Sequence, residues 1–109
     1  MKQIIIFQLP MSNPCAFREE LAKAEDYVAV WTEKLPPCLE CETRDLLEHL
    51  FTKFNINQPE NFAGHSLSVS DLIMITERDE LTNTFTREIW QCKNIGWEKV
   101  EFKEDGENV

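Results

Sequence analysis

Two kinds of hydrophobic spacing alternate along the chain. Short runs of β-branched and aromatic residues, such as IIIF at 4–7, are typical of buried strands. Between 43 and 54 the apolar residues instead recur at helical spacing and form the stripe of an amphipathic helix, made of Leu46, Leu47, Leu50, Phe51 and Phe54. The whole pattern predicts strands at 3–9, 27–32, 71–76, 85–92 and 97–102 and helices at 14–24 and 43–54.

The order of these elements indicates the fold class. Strand and helix alternate twice and three further strands follow, which predicts an α+β domain with the order βαβαβββ. We expect a small, mostly antiparallel sheet of about five strands with two helices. The first helix is predicted from Asn13 as its cap and Pro14 at its first position. The run from Tyr27 to Thr32 is apolar on both sides and predicts a strand that is buried on both faces or central in the sheet.

The stretch GHSLSVSDLIMI, residues 64–75, contains the most conspicuous polar pattern. His65, Ser66 and Asp71 are the residue types of a catalytic triad, but nothing around them resembles the sharp turn that presents a nucleophilic serine. Serine and aspartate side chains also bond to nearby backbone groups and build turns. We therefore interpret the stretch as turns that lead into a core strand, with Leu67 and Val69 pointing inward, and we predict no catalytic residues and no enzyme.

Length and composition limit the class of protein. The chain has 109 residues, 42% of them hydrophobic, which suits one domain with its own core. No apolar run approaches the roughly 20 residues that span a bilayer, and the opening MKQIIIFQLP lacks the apolar region of a signal peptide. We expect a soluble cytoplasmic protein without a cofactor.

Four cysteines offer an alternative chemistry. Cys38 and Cys41 have the C-x2-C spacing of half a zinc site, and His49 or Cys92 are the candidates to complete it. Because no second close pair is present, we predict free thiols and no metal, and a zinc- or thiol-dependent protein centred on Cys38 and Cys41 stays an alternative. A redox role is less favoured, because the pair precedes the helix instead of opening it.

The charge balance changes the picture most. Twenty acidic and 11 basic residues give a net charge of -9, which repels nucleic acid and anionic lipid and favours a basic partner. A rigid row of carboxylates can imitate the phosphates of a nucleic-acid strand. The acidic clusters and two aromatic residues predict a partner-binding surface made of Glu40, Glu42, Asp45, Glu48, Glu77, Asp79, Glu80, Trp90 and Trp97.

The middle of the chain resembles the YodL-like domain family, small proteins and domains of Firmicutes and their mobile elements. The resemblance extends over about 25–102, and its specific core is GHSLSVSD. We expect a single YodL-like α+β domain over 1–103, followed by a flexible acidic tail at 104–109. This chain departs from the family pattern in the stretch PPCLEC and in a longer polar hairpin at 77–84. The matching residues are Tyr27, Leu47, Phe51, Phe54, Asn55, Pro59, Phe62, Gly64, His65, Ser66, Leu67, Ser68, Val69, Ser70, Asp71, Gly96 and Trp97.

Charge and resemblance together lead to one functional hypothesis. We expect a non-enzymatic, mobile-element inhibitor of a host defence nuclease, of the anti-CRISPR or anti-restriction type, that binds a basic nucleic-acid-binding surface of a CRISPR effector or restriction nuclease. It would act as a nucleic-acid mimic, without binding nucleic acid or membrane itself. The alternative is a generic protein-protein interaction module of a phage or conjugative element with no anti-defence role. The sequence does not predict the oligomeric state.

Overall fold

The computed structural model describes residues 2–35, 43–56, 58, 60, 62, 64–79 and 81–101. Within them the chain forms five strands, one α-helix and a single 3-10 turn at Ala24–Asp26. The strands and the helix are, in chain order, β1 Lys2–Gln8, β2 Val28–Leu35, α1 Thr43–Ile56, β3 Leu72–Asp79, β4 Thr84–Cys92 and β5 Trp97–Val100.

The five strands form one antiparallel sheet in the order β2-β1-β3-β4-β5. Strands β1 and β3 have the most apolar sequences, because each is paired on both sides and is covered by the core. The register places Ile6 beside Trp31 on one side and beside Ile73 on the other, and Ile73 lies beside Trp90. A row of large side chains therefore crosses four strands on one face of the sheet.

Helix α1 covers this face. Four of the five residues of the predicted stripe, Leu46, Leu47, Leu50 and Phe54, are buried and pack on Ile4, Ile6, Ile73 and Ile75 of the central strands, and the fifth, Phe51, is half-buried. The last turns of the helix lie near β2, where Lys53 Nζ is 3.2 Å from Glu33 Oε1 and the Phe54 ring is 5.8 Å from that of Trp31. Its first turns lie beside β4 and β5, because Leu47 lines a cavity with Trp90 and Trp97. The helix thus crosses the sheet from β5 towards β2.

A smaller apolar cluster occupies the opposite face. Leu9, Tyr27 and Leu72 are its buried members, and Cys15, Ala16 and Ala22 from the connection between β1 and β2 pack against it. That connection is tied to the rest of the domain by hydrogen bonds: Phe17 N donates to Ser70 Oγ at 3.0 Å, and Gln91 Nε2 donates to the Glu19 carbonyl at 3.2 Å.

The predicted helix at 14–24 is wrong. Asn13 Oδ1 does accept a bond from Cys15 N at 2.9 Å, as a cap would, but the chain then forms successive turns. Phe17 has a φ of 63°, a left-handed conformation that a right-handed α-helix excludes. Asn13 therefore forms a cap-like hydrogen bond, but no helix follows it. Hydrogen bonds to Ser70 and Gln91 hold Phe17 and Glu19 in a non-helical path instead.

The prediction of a doubly buried or central strand at 27–32 is also wrong. Strand β2 extends to Leu35 and lies at the edge of the sheet, with Val28 52% exposed. The other predicted strands and helix 43–54 are confirmed to within a few residues, the two hairpin strands being longer and the last strand shorter than expected.

Several predictions fall outside the described residues, namely those for Cys38 and Cys41 and for the tail at 104–109. Cys15 and Cys92 are free thiols, as expected. No helix in the described part of the chain has the length and apolar character needed to cross a membrane.

Candidate functional site

The GHSLSVSD stretch builds a buried polar junction with the end of β1. Gln8, 3% exposed, donates from Nε2 to the His65 carbonyl at 2.8 Å and to Asp71 Oδ2 at 3.0 Å, and its Oε1 accepts from His65 N at 3.1 Å. A methyl group on Gly64 would lie 2.2 Å from Gln8 Oε1, so glycine is needed for the loop to approach this closely. Every hydrogen-bonding group of the Gln8 amide is occupied by the junction.

Asp71 is the charged member of this polar junction. It is 1% exposed; Oδ2 accepts from Ser68 N at 2.9 Å as well as from Gln8, and Oδ1 has no partner among the described residues. Burial raises the pKa of Asp71 to about 6, against the opposing effects of the Ser68 amide, the His65 charge and Gln8. The junction therefore resists ionisation of its own carboxyl group.

The three residue types of a triad do not form a relay here. His65 Nδ1 lies 2.7 Å from the Ser66 carbonyl oxygen, which only accepts, so Nδ1 carries the proton in this contact. The Ser66 hydroxyl instead accepts from Gln58 Nε2 at 3.1 Å, and Asp71 is connected to His65 through Gln8. The interpretation of the stretch as turn-building is confirmed for Asp71, whose Oδ2 accepts from Ser68 N, and for Ser68, whose Oγ donates to the Ser66 carbonyl. Ser70 Oγ instead accepts from the distant Phe17 N, and Leu67 is buried as expected.

Four of the seven predicted partner-binding carboxylates lie within the described residues, and they form two separate groups. Asp45 and Glu48 are exposed on the first turns of α1, one turn apart, where side chains three residues apart are about 5 to 6 Å from each other. Glu77 and Asp79 are exposed at the far end of β3. Glu40, Glu42 and Glu80 lie outside the described residues.

The strand register places the second group far along β3 from the part of the sheet beside the first turns of α1. Asp79 is six residues farther along β3 than Ile73, the partner of Trp90, which is roughly 20 Å at about 3.3 Å per residue. Asp79 Oδ1 also accepts from Leu81 N at 3.0 Å and so helps to shape the β3–β4 turn. The described carboxylates therefore do not form one continuous row.

Glu48 and the two predicted tryptophans do come together. Two adjoining cavities, of about 390 and 400 Å³, lie between α1 and the β4–β5 turn and share Glu48, Gly96 and Trp97 as lining residues. Phe51 and Cys92 are among the residues that line only the first cavity. Arg44, Trp90 and Ile95 line only the second. We call this pair of cavities the α1 groove.

The two indole rings of the α1 groove are half-buried and form part of its walls. Both pack against the main core, Trp97 with its ring at 86° to that of Phe51 and 6.3 Å from it. Trp90 Nε1 donates to Glu88 Oε2 at 3.2 Å. These contacts fix both rings before any partner arrives.

Charged side chains of both signs line the α1 groove, namely Arg44, Glu48 and Lys93. Burial, together with the nearby charges of Asp71 and Glu48, raises the pKa of the Cys92 thiol to about 11, so the groove thiol stays protonated at neutral pH. Lys93 also lines the groove, but its Nζ donates to the Glu19 carbonyl at 2.8 Å and lies 3.8 Å from Glu98. Glu48 itself has no ion pair within the described part of the chain.

Metal ligation was the main alternative to a binding surface. Among the described residues no three histidine, cysteine or acidic side chains are grouped closely enough to hold a metal ion. Cys38 and Cys41, on which the zinc alternative depends, lie outside these residues.

Sequence reasoning missed the residues that complete the two sites. Gln8 connects His65 and Asp71 in the polar junction. The only indication of this role in the sequence was a single amide residue at the end of an apolar strand. Ile95 borders the α1 groove and is 95% exposed, and its signal was a large apolar residue inside a tight turn. Neither signal reveals which distant residues it will meet.

The described residues form a small α+β domain in which one helix crosses a five-stranded antiparallel sheet and borders a surface groove. The chain belongs to the YodL-like domain family, whose model matches residues 9–102. The resemblance noted in the sequence is thereby confirmed, and the match includes both the polar junction loop and the α1 groove. Neither curated proteins nor solved structures gave a significant match to the chain.

Proposed function

We propose that this protein is a non-enzymatic inhibitor of a host defence nuclease, encoded by a mobile element, and that it binds a basic surface of the nuclease through the first turns of α1 and the adjoining groove. The observation that carries the proposal is the position of Asp45 and Glu48. Both carboxylates are exposed, neither has a counter-ion within the described residues, and Glu48 borders a preformed groove with aromatic walls.

Physical reasoning supports a basic partner. Carboxylates without a counter-ion keep their full attraction for a positively charged surface, and a net charge of -9 speeds encounter with such a surface at physiological salt. A nuclease channel is basic because it holds phosphates, and a protein that displaces nucleic acid from the channel inhibits without any chemistry of its own. The mobile-element context that the family resemblance implies suits a defence nuclease as the target.

The separation of the two acidic groups changes the form of the mimicry. An extended imitation of a nucleic-acid strand would need one continuous row of carboxylates, whereas Asp45 and Glu48 lie on α1 and Asp79 lies roughly 20 Å along β3 from Ile73, the partner of Trp90. We therefore propose a local contact, in which α1 supplies charge and the aromatic groove supplies the desolvated anchor. The generic interaction module is the alternative that such a single contact also fits.

A plaque assay tests the proposal. Cells with an active CRISPR or restriction system would express the protein and be challenged with a phage that the system targets. We expect plaquing efficiency to rise by orders of magnitude in cells with the defence system and to stay constant in cells without it. Constant plaquing in both, across the CRISPR and restriction types, would refute the inhibitor and leave the generic interaction module.

A further inference from the structure

The α1 groove combines an uncompensated carboxylate with two fixed indole rings. Glu48 lines both cavities of the groove, Trp97 lines both as well, and Trp90 closes one side. An apolar occupant would remove water from the Glu48 carboxylate and leave it without a partner, which costs free energy. An occupant with a positive charge would pair with the carboxylate and avoid this cost.

The positively charged side chains near the groove do not pair with Glu48 in the described structure. Lys93 is engaged by Glu19 and Glu98, and Lys99 lies 3.8 Å from Glu88. Arg44 is one turn before Glu48 on α1 but forms no ion pair with it in the described structure. An arginine that precedes a glutamate by four residues is also the less favourable order for a helical ion pair.

Among cations, a guanidinium group fits these walls best. It is planar, stacks on indole faces, is more weakly hydrated than an ammonium group, and pairs with a carboxylate through two parallel hydrogen bonds. Each cavity, at about 390 to 400 Å³, has space for one long side chain with its neighbouring backbone. Because the rings are held by Phe51 and Glu88, binding needs little further ordering of the protein.

We propose that the α1 groove is a recognition site for an arginine side chain in a basic segment of the partner protein, with the guanidinium paired to Glu48 and stacked against the indole wall. The identity of the partner rests on the proposed function. The site itself is a property of this chain and is tested on the purified protein alone.

The test is an NMR titration of the full chain with the blocked pentapeptide Gly-Gly-Arg-Gly-Gly, observed at the indole N–H signals of Trp90 and Trp97. We expect saturable shifts of at least one of these signals at millimolar peptide, the range of a single side-chain contact. The same peptide with citrulline keeps the shape of arginine and removes its charge, and we expect it to bind about fivefold more weakly or worse.

Three variants test which side chains contribute to binding of the arginine peptide. Glu48→Gln should weaken arginine-peptide binding about fivefold, while Asp45→Asn, which removes an equal charge from the same exposed helix outside the groove, should change it by less than about twofold. Arg44→Gln should strengthen binding, because it removes a like charge from the groove wall. Equal binding of the citrulline peptide, equal loss in the Glu48 and Asp45 variants, or no shift of either indole signal would overturn the proposal.

The two proposals fail separately. If the indole signals respond as expected but the protein gives no protection to a phage, the arginine site stands and the nuclease target is wrong. If protection depends on Asp45 and Glu48 together but the arginine peptide leaves the indole signals unchanged, the inhibitor stands and the arginine site is wrong.

Discussion

Asp71 is the residue at which burial and charge conflict most directly. Its carboxyl group is 1% exposed, with a pKa raised from the ordinary 3.8 to about 6. The folded state therefore binds a proton more tightly than the unfolded state does. The contribution of protonated Asp71 to the free energy of unfolding is fully present below about pH 4. It is lost as the pH rises through about 6, which lowers the free energy of unfolding by on the order of 3 kcal/mol.

Replacing Asp71 with Asn should remove this part of the pH dependence. The Asn oxygen can still accept from Ser68 N and Gln8 Nε2, while the amide stays neutral at every pH. We expect urea unfolding to show a smaller loss of stability between pH 4 and pH 7 in D71N than in the native protein. Asp45→Asn removes the same charge from an exposed site and should keep the native profile, and equal slopes in all three proteins would refute the assignment.

Gly64 gives a second prediction at the residue scale. An alanine methyl group there would lie 2.2 Å from Gln8 Oε1 and 3.1 Å from the Phe62 ring, so Gly64→Ala should destabilise the protein by about 1 to 3 kcal/mol in urea unfolding. Gly96→Ala is the contrasting control, since its methyl group meets no atom and only its φ of 73° is unfavourable, at about 1 kcal/mol. A G64A variant no less stable than G96A would contradict the close approach of the loop to Gln8.

At the scale of elements, Phe54 is the largest fully buried side chain that packs α1 against the sheet. Phe54 is fully buried, with its ring 4.8 Å from that of Phe62 and 5.8 Å from that of Trp31. Phe54→Ala should cost about 3 to 5 kcal/mol, a large part of the stability of a domain this size. Phe51→Ala, at a half-buried position one turn earlier, should cost less, and the opposite order in urea unfolding would contradict the described packing.

The connection between β1 and β2 is stabilised by tertiary bonds instead of a helix. Ser70→Ala removes the oxygen that accepts from Phe17 N, so we expect faster amide hydrogen exchange at Phe17. Exchange in β1 and β3 should stay at native rates, because the variant leaves their ladder intact. Unchanged exchange at Phe17 would show that this bond does not hold the segment.

This connection also explains where the sequence failed to predict the fold. Helix 43–54 was predictable because its apolar stripe is a local signal that agrees with the surface it covers. The segment after Asn13 carries a local capping signal too, but the conformation of Phe17 is set by Ser70, 53 residues away. Similarly, the edge position of β2 depends on the order of the strands, which its own apolar pattern does not encode.

The candidate site was predictable only as a set of separate parts. Glu48, Trp90 and Trp97 were selected for charge and aromatic character, but their meeting depends on the path of α1 from β5 to β2. The hairpin carboxylates Glu77 and Asp79 were selected for the same reason, and the register places them away from the α1 groove. Residue type thus indicated the chemistry, while topology decided which residues share a surface.

At the scale of the whole molecule, the proposed contact has two components with different ranges. The net charge of -9 acts over about 8 Å at physiological ionic strength and speeds encounter, so association should slow as salt is added. The groove acts only in contact and should set the dissociation rate. Measured against the nuclease that the plaque assay identifies, salt should therefore change the association rate far more than the dissociation rate.

The most direct test of the central claim compares two matched double charge reversals for inhibition of DNA cleavage by that purified nuclease. Asp45→Lys with Glu48→Lys changes the α1 surface, and Glu77→Lys with Asp79→Lys makes the same change of net charge at the far end of β3, away from the α1 groove. We predict that the first pair abolishes inhibition and that the second weakens it by less than about tenfold, as expected for a distant, screened charge. Equal loss in both variants, or full inhibition by the first, would contradict a binding surface on α1.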